Sequence, residues 1–156
     1  MGWNGNSLFS SEWEQGLIDG NSGTNVNNND DIRTKDYISV TPNEHYAINR
    51  TITTNYMNVR GYDINKNYIG LGASVIDLIQ GSTNSNPMSA TLSSCVISPK
   101  ENIYYLRFND ASNNLETKYM MTLGDSQIEY EPYYITSNTT VVQENNHTLK
   151  AIWQAN

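Results

Sequence analysis

A single cysteine, Cys95, serves the whole chain of 156 residues. One thiol builds no internal disulfide framework and no multi-cysteine zinc site. Its neighbours in "ATLSSCVIS" alternate as a strand does, so the expectation is a buried structural thiol rather than a nucleophile. Charge is also sparse, with Asp, Glu, Lys and Arg making up 16% of the residues. What charge there is leans negative, to a net −7 and an isoelectric point of about 4.6. An acidic surface repels phosphate backbones and anionic lipid headgroups, which argues against nucleic acid and membrane surfaces as partners. No apolar run approaches the roughly 20 residues of a membrane span. The opening "MGWNGNSLF" has neither the basic residues nor the apolar stretch of a secretory signal. The expectation is therefore either a protein that gets outside without a leader or a piece of a longer chain.

Catalytic signatures are missing as well. The two histidines, His45 and His147, stand in a strand-like stretch and beside a terminal turn. Neither has a nucleophile in a recognisable frame. The paired carboxylates Glu12/Glu14 and Glu129/Glu131 share a face at their i, i+2 spacing, whereas those of a glycosidase face each other across a cleft. No phosphate loop or metal signature is present. The chain reads as non-enzymatic.

What the sequence does contain is uncharged polarity. Mean hydropathy is −0.59 despite the few charges, so amides and hydroxyls supply it, asparagine above all. Asparagine and glycine favour turns, while tyrosine, threonine, isoleucine and valine favour strands. Period-two stretches recur between turn signals. "DIRTKDYISV" runs to Thr41-Pro42-Asn43, and "HYAINRTIT" follows with Tyr46, Ile48 and Ile52 inward. "YMNVRGYDIN" closes at Asn65-Lys66-Asn67, with "YIGLG" as its hairpin partner. "ASVIDLIQG" fits a short helix as well as a strand. "GSTNSNP" is a loop, and "ATLSSCVIS" then runs to a turn at Pro99.

"NIYYLRFND" is the clearest strand, with Tyr104, Leu106 and Phe108 facing one way and Tyr105, Arg107 and Asn109 the other. "KYMMTLGDSQIEYEPYYI" holds two more strands around Gly124-Asp125. About eight to ten strands with short loops predict an all-β, antiparallel β-sandwich. Residues 1–133 form this module. Residues 134–156 form a C-terminal extension, read as an extended segment, a hairpin ending at Trp153, or a linker.

Four stretches arrive in a recognisable order: "WEQGLIDGNSG…DIRTKDYISVTPNEHYAI", "VRGYDINKNYIG", "ISPKENIYYLRF" and "QIEYEPY". Together they resemble the carbohydrate-binding-module-like jelly-roll domain of tail, baseplate and receptor-binding proteins in phages of Gram-positive bacteria, with similar modules in bacterial cell-surface proteins. The resemblance covers roughly Leu8 to Tyr133. Leu71 to Ala90 is longer and more apolar than that pattern, and "HTLKAIWQAN" lies outside it. The resemblance implies non-catalytic binding of a host cell-wall saccharide, alongside other tail or surface modules, on a virion tail or a Gram-positive cell surface. The competing class is a structural sandwich that joins or spaces other modules and binds no sugar.

Five residues are candidates for the site. In "SEWEQG", Trp13 lacks apolar neighbours. It is either a plug for one end of the sandwich or a platform for the apolar face of a sugar. As a platform it works with Glu14 and Arg33 reading hydroxyls; otherwise a Glu14–Arg33 pair simply ties the first loop to a strand. Tyr105 and Arg107, opposite the core face of their strand, form either a solvent-facing pair or a flat glycan site. Asp63 after Tyr62 precedes a turn that it is placed to cap. No cofactor is expected, although the oxygens of "NNNDD", Asn27 to Asp31, offer a structural calcium site as the alternative to a plain turn-rich loop.

Overall fold

The computed structural model describes residues 2–4, 8, 11–50, 57–81, 94–111, 114–116, 119–125, 134–136, 139–143 and 149–153. The asparagine-rich first part gives six short strands: β1 (Gly2–Asn4), β2 (Trp13–Gln15), β3 (Leu17–Ile18), β4 (Asn25–Val26), β5 (Ile32–Thr34) and β6 (Ile38–Ser39). β7 (Tyr46–Arg50), β8 (Met57–Tyr62) and β9 (Tyr68–Leu71) follow, and a 3-10 turn at Gly72–Ser74 leads into β10 (Ile76–Gln80). β11 (Ser94–Pro99), β12 (Tyr105–Asp110) and β13 (Tyr119–Leu123) come next. The final segment supplies β14 (Tyr134–Thr136), β15 (Thr139–Gln143) and β16 (Leu149–Trp153).

These strands build the antiparallel β-sandwich that the alternation predicts. One sheet has the order β10-β11-β7-β13; the other has β2-β5-β12-β8-β9, with β6 also pairing to β12. β5 and β6 share one side of β12: Arg33 lies opposite Asn109, and Ser39 lies opposite Tyr105. Between the sheets, Tyr46 and Ile48, Val59, Ile76, Cys95 and Ile97, Leu106 and Phe108, and Met121 join one buried cluster. Each large apolar side chain in it contributes roughly 1.5–3 kcal/mol of transfer free energy. Cys95 is buried there, as its alternating neighbours require.

Tyr104 corrects the reading of the clearest strand. It precedes β12 and is exposed, with its amide donating to Tyr62 O (2.9 Å) and its carbonyl accepting from Val40 N (3.0 Å). Ile103 takes the inward place instead. In "ASVIDLIQG" the apolar residues Ile76, Leu78 and Ile79 lie in strand β10, so the strand reading holds for them, and the short 3-10 turn at Gly72–Ser74 comes before them. Ser74 Oγ closes the turn, accepting from Leu71 N (3.1 Å) and donating to Leu71 O (2.5 Å).

The β8–β9 hairpin forms where expected, with Arg60 opposite Leu71 and Tyr62 opposite Tyr68. In the C-terminal segment β15 and β16 pair as a hairpin, and β14 pairs with β1 near the chain's start. Ile52, residues 82–87 of the "GSTNSNP" loop, the "QIEYEPY" stretch with Glu129 and Glu131, and His147 lie outside the described residues.

Candidate functional site

The face of the six-stranded sheet turned away from the core is polar, and strand register sets its layout. β12 places Tyr105, Arg107 and Asn109 there, and directly across from them β8 places Tyr62, Arg60 and Asn58. β5 sets Arg33 beside Asn109, and β2 sets Glu14 beside Arg33. Three guanidinium groups and several tyrosines therefore share one surface.

Most of that surface is closed to water. The segment between β2 and β5 folds back over it as the β3–β4 hairpin. Its turn is closed by Asp19, whose Oδ1 accepts from the amides of Asn21 (2.6 Å) and Ser22 (3.0 Å). Those two bonds hold the Asp19 carboxyl below the usual carboxylate range. The sheet's side chains grip the hairpin mainly by its backbone. Arg33 Nη1 donates to Leu17 O (3.0 Å) and Val26 O (2.9 Å). Arg60 Nη2 donates to Ile18 O (2.8 Å), and Asn109 Oδ1 accepts from Ile18 N (2.8 Å). The hydroxyls of Tyr62 and Tyr68 donate to Gly23 O (3.0 Å) and Gly20 O (2.6 Å). Gly23 has φ +69°, and a Cβ there would run into the Tyr68 ring, so only glycine fits.

Arg33, Arg60 and Arg107 are left 8%, 5% and 4% exposed. Burial pushes the Arg60 guanidinium below its ordinary value and the Tyr62 and Tyr68 phenols above theirs. Arg107 donates to Asn25 Oδ1 (2.9 Å) and Thr34 O (2.6 Å). Among the described residues, Arg60 Nη1 and Arg107 Nε have no hydrogen-bond partner. The layer is a cationic floor, polar but largely bonded.

The predicted residues separate onto different faces. Trp13 faces inward, half-buried and packed against the core cluster, which is the plug geometry. Glu14 faces outward and bonds Arg33 Nε at 2.9 Å, the tie between first loop and strand. Strand alternation thus puts Trp13 and the Glu14–Arg33 pair on opposite sides of one sheet. Arg107 lies on the predicted face but is buried, because the hairpin covers it; the expectation of a solvent-facing Tyr105–Arg107 pair is corrected to that extent. Tyr105 stays half-exposed.

At Tyr105 the floor reaches the surface as an aromatic edge. Tyr37 packs edge-on against Tyr62 (centroids 4.9 Å apart, 86°) and against Tyr105 (6.0 Å, 76°). Arg107 Cζ lies 5.6 Å from the Tyr37 centroid. Lys66 Nζ lies 5.1 Å from the Tyr37 centroid and 5.2 Å from that of Tyr105. Tyr62 is buried, while Tyr37 and Tyr105 are partly accessible.

Asp63 caps the adjoining turn. Its Oδ1 accepts from the amides of Asn65 (2.8 Å) and Asn67 (2.9 Å), and its Oδ2 from Asn67 Nδ2 (3.1 Å). The amide bond from Asn67 is the main reason its carboxyl sits below the usual range.

Two further polar groups make local contacts. In "NNNDD" the Asn28 side chain accepts from the amides of Asp30 (2.6 Å) and Asp31 (3.2 Å), so it turns the chain. Burial, with Asp30 and Asp110 nearby, pushes the Asp31 carboxyl up. Among the described residues, no three His, Cys, Asp or Glu side chains group closely enough to hold a metal ion. His45 Nδ1 contacts the Asp125 carboxylate.

Sequence reasoning missed Tyr37, Arg60, Tyr62, Tyr68 and Lys66 as members of one surface. Arg60 and Tyr62 carry a usable signal, since they alternate with Val59 and Gly61 along "NVRGYD". Lys66 carries none, because it stands in a turn without periodicity. No family model, curated protein or solved structure matches this chain.

Proposed function

We propose that the protein binds a saccharide without catalysis, at the edge formed by Tyr37 and Tyr105. The observation that supports this reading is a pair of partly exposed rings, 76° apart in plane and 6.0 Å between centroids, with a buried guanidinium 5.6 Å from the Tyr37 ring. A pyranose presents an apolar C–H face that packs on such a ring. Rings already braced by neighbours lose little freedom on binding, so more of the contact energy appears as affinity. The two phenol hydroxyls supply donors and acceptors for sugar hydroxyls. In this reading Arg107 and the Glu14–Arg33 pair hold the floor, and Trp13 seals the core edge.

The motif resemblance extends the proposal. The chain is a jelly-roll-type, carbohydrate-binding-like module of a phage tail or baseplate, or of a Gram-positive surface protein. Its partners are host-wall saccharide and neighbouring modules, and its place is the virion tail or the cell surface. A structural adaptor is the second reading, favoured by Ile64 and Ile69, which are 62% and 51% exposed on the β8–β9 hairpin.

A glycan array that includes Gram-positive wall fragments tests the first reading. Tyr105→Ala is expected to weaken binding about tenfold or more, with an unchanged melting temperature and no release of reducing ends by either protein. Unchanged binding in Tyr105→Ala moves the site elsewhere. Absence of any saccharide binding, with self- or partner-association lost in Ile69→Ser, supports the adaptor.

A further inference from the structure

We infer that Lys66 makes the tyrosine edge select saccharides carrying an anionic group, a carboxylate or a phosphate. This rests on the saccharide reading of that edge. The Lys66 ammonium lies 5.1 and 5.2 Å from the centroids of the two rings that a sugar would use. Its backbone is fixed rather than drifting: φ is 65°, and its amide donates to Asp63 O at 2.9 Å inside the capped turn. Two other described lysines lie against carboxylates, Lys35 by Glu12 (3.5 Å) and Lys100 by Asp77 (3.7 Å). Among the described residues no carboxylate lies within ion-pair distance of Lys66; its charge is directed at the rings. In a chain of net −7, this is a local reversal of the surface's sign.

The position gives Lys66 opposite effects on two classes of ligand. A neutral sugar stacking on Tyr37 or Tyr105 must first displace the ammonium from the ring faces, and so competes with it. An anionic sugar displaces it too, but the released ammonium then meets the carboxylate or phosphate in a charge-assisted hydrogen bond. The Arg107 guanidinium, 5.6 Å from the Tyr37 centroid, adds positive potential at the same ring. Selectivity arises because one residue opposes the wrong ligand and holds the right one.

The test is calorimetric titration of the wild type, Lys66→Gln and Tyr105→Ala with three probes. These are neutral dextran oligomers, oligogalacturonate for the carboxylate arm, and oligomeric glycerol phosphate for the phosphate arm. Lys66→Gln is expected to bind dextran about two- to fivefold more tightly, the competing contact being gone. It is expected to bind at least one anionic probe about tenfold more weakly. The probe that weakens identifies the anion. Wild-type affinity for that probe is expected to fall between roughly 0.05 and 0.5 M salt. A fold defect weakens all probes together, so changes of opposite sign are the signature. Neutral and anionic affinities that shift in the same direction, or not at all, overturn the inference. If Tyr105→Ala loses every probe while Lys66→Gln changes none, the saccharide site stands and the role of Lys66 falls. If the wild type binds no probe, or Tyr105→Ala keeps them all, both fall.

Discussion

Arg107 bonds Thr34 O and Asn25 Oδ1 from under the hairpin, so shortening it leaves two acceptors without their charged donor. Arg107→Ala is expected to cost about 2–3 kcal/mol, measured as a lower urea midpoint at unchanged slope. Arg107→Lys recovers little of this, because an ammonium lacks the planar fork that spans both acceptors. Trp13 differs, being half-buried against apolar neighbours. Trp13→Ala is expected to cost no more than the low end of the roughly 3–5 kcal/mol seen for full cores, with saccharide affinity retained. Lost affinity in a Trp13→Ala protein of unchanged melting temperature would restore the tryptophan as a platform. Alternation in "NIYYLRFND" placed Arg107 opposite Leu106 and Phe108, and it lies there. Its burial was illegible for a physical reason: what covers it is the β3–β4 hairpin, whose contact with Arg107 is the polar side chain of Asn25, which carries no periodic sign of packing.

The hairpin turn between β8 and β9 shows how one carboxylate organises an element. Asp63 accepts its bonds best when ionised, and its folded value lies below the ordinary one. The turn's contribution to stability is therefore present above the ordinary aspartate value and is lost as pH falls through the lowered folded value. A carbon-detected titration is expected to place the Asp63 midpoint below that of a free aspartate, with the Lys66 amide shifting in step. A midpoint at or above the ordinary value contradicts the cap. This hairpin was legible because Asn65-Lys66-Asn67 separates two alternating runs. "ASVIDLIQG" was not, since Val75 and Ile76 are adjacent and both buried. Val75 ends the 3-10 turn and Ile76 opens the strand, so neither a helical nor a strand period fits the whole stretch.

Across the whole molecule the chain shuttles between sheets, from β5 and β6 to β7, back to β8 and β9, over to β10 and β11, then to β12 and to β13. Few strands pair with their immediate successor, so much loop closure precedes the contacts that repay it. Refolding is expected on the millisecond-to-second scale as one cooperative transition, followed by tryptophan fluorescence in stopped flow. Microsecond refolding would contradict this topology. The sandwich itself was legible from alternation and turn residues. The partner of each strand was not, because period two says which face a side chain takes and nothing about which strand lies alongside.

The grip on Leu17, Ile18, Gly20, Gly23 and Val26 falls on carbonyl oxygens, which every residue type supplies. The covering segment is thus secured largely by atoms that mutation cannot remove, while Asn21, Ser22, Thr24 and Asn27 stand exposed on its outer side. A library randomised at Asn21, Thr24 and Asn27 should remain largely folded, whereas one randomised at Gly23, Arg33, Arg60 or Arg107 should not. Variation on the outer side of this hairpin is therefore decoupled from the integrity of the core, and a lineage of such chains is free to change its outer surface without reworking the sandwich beneath.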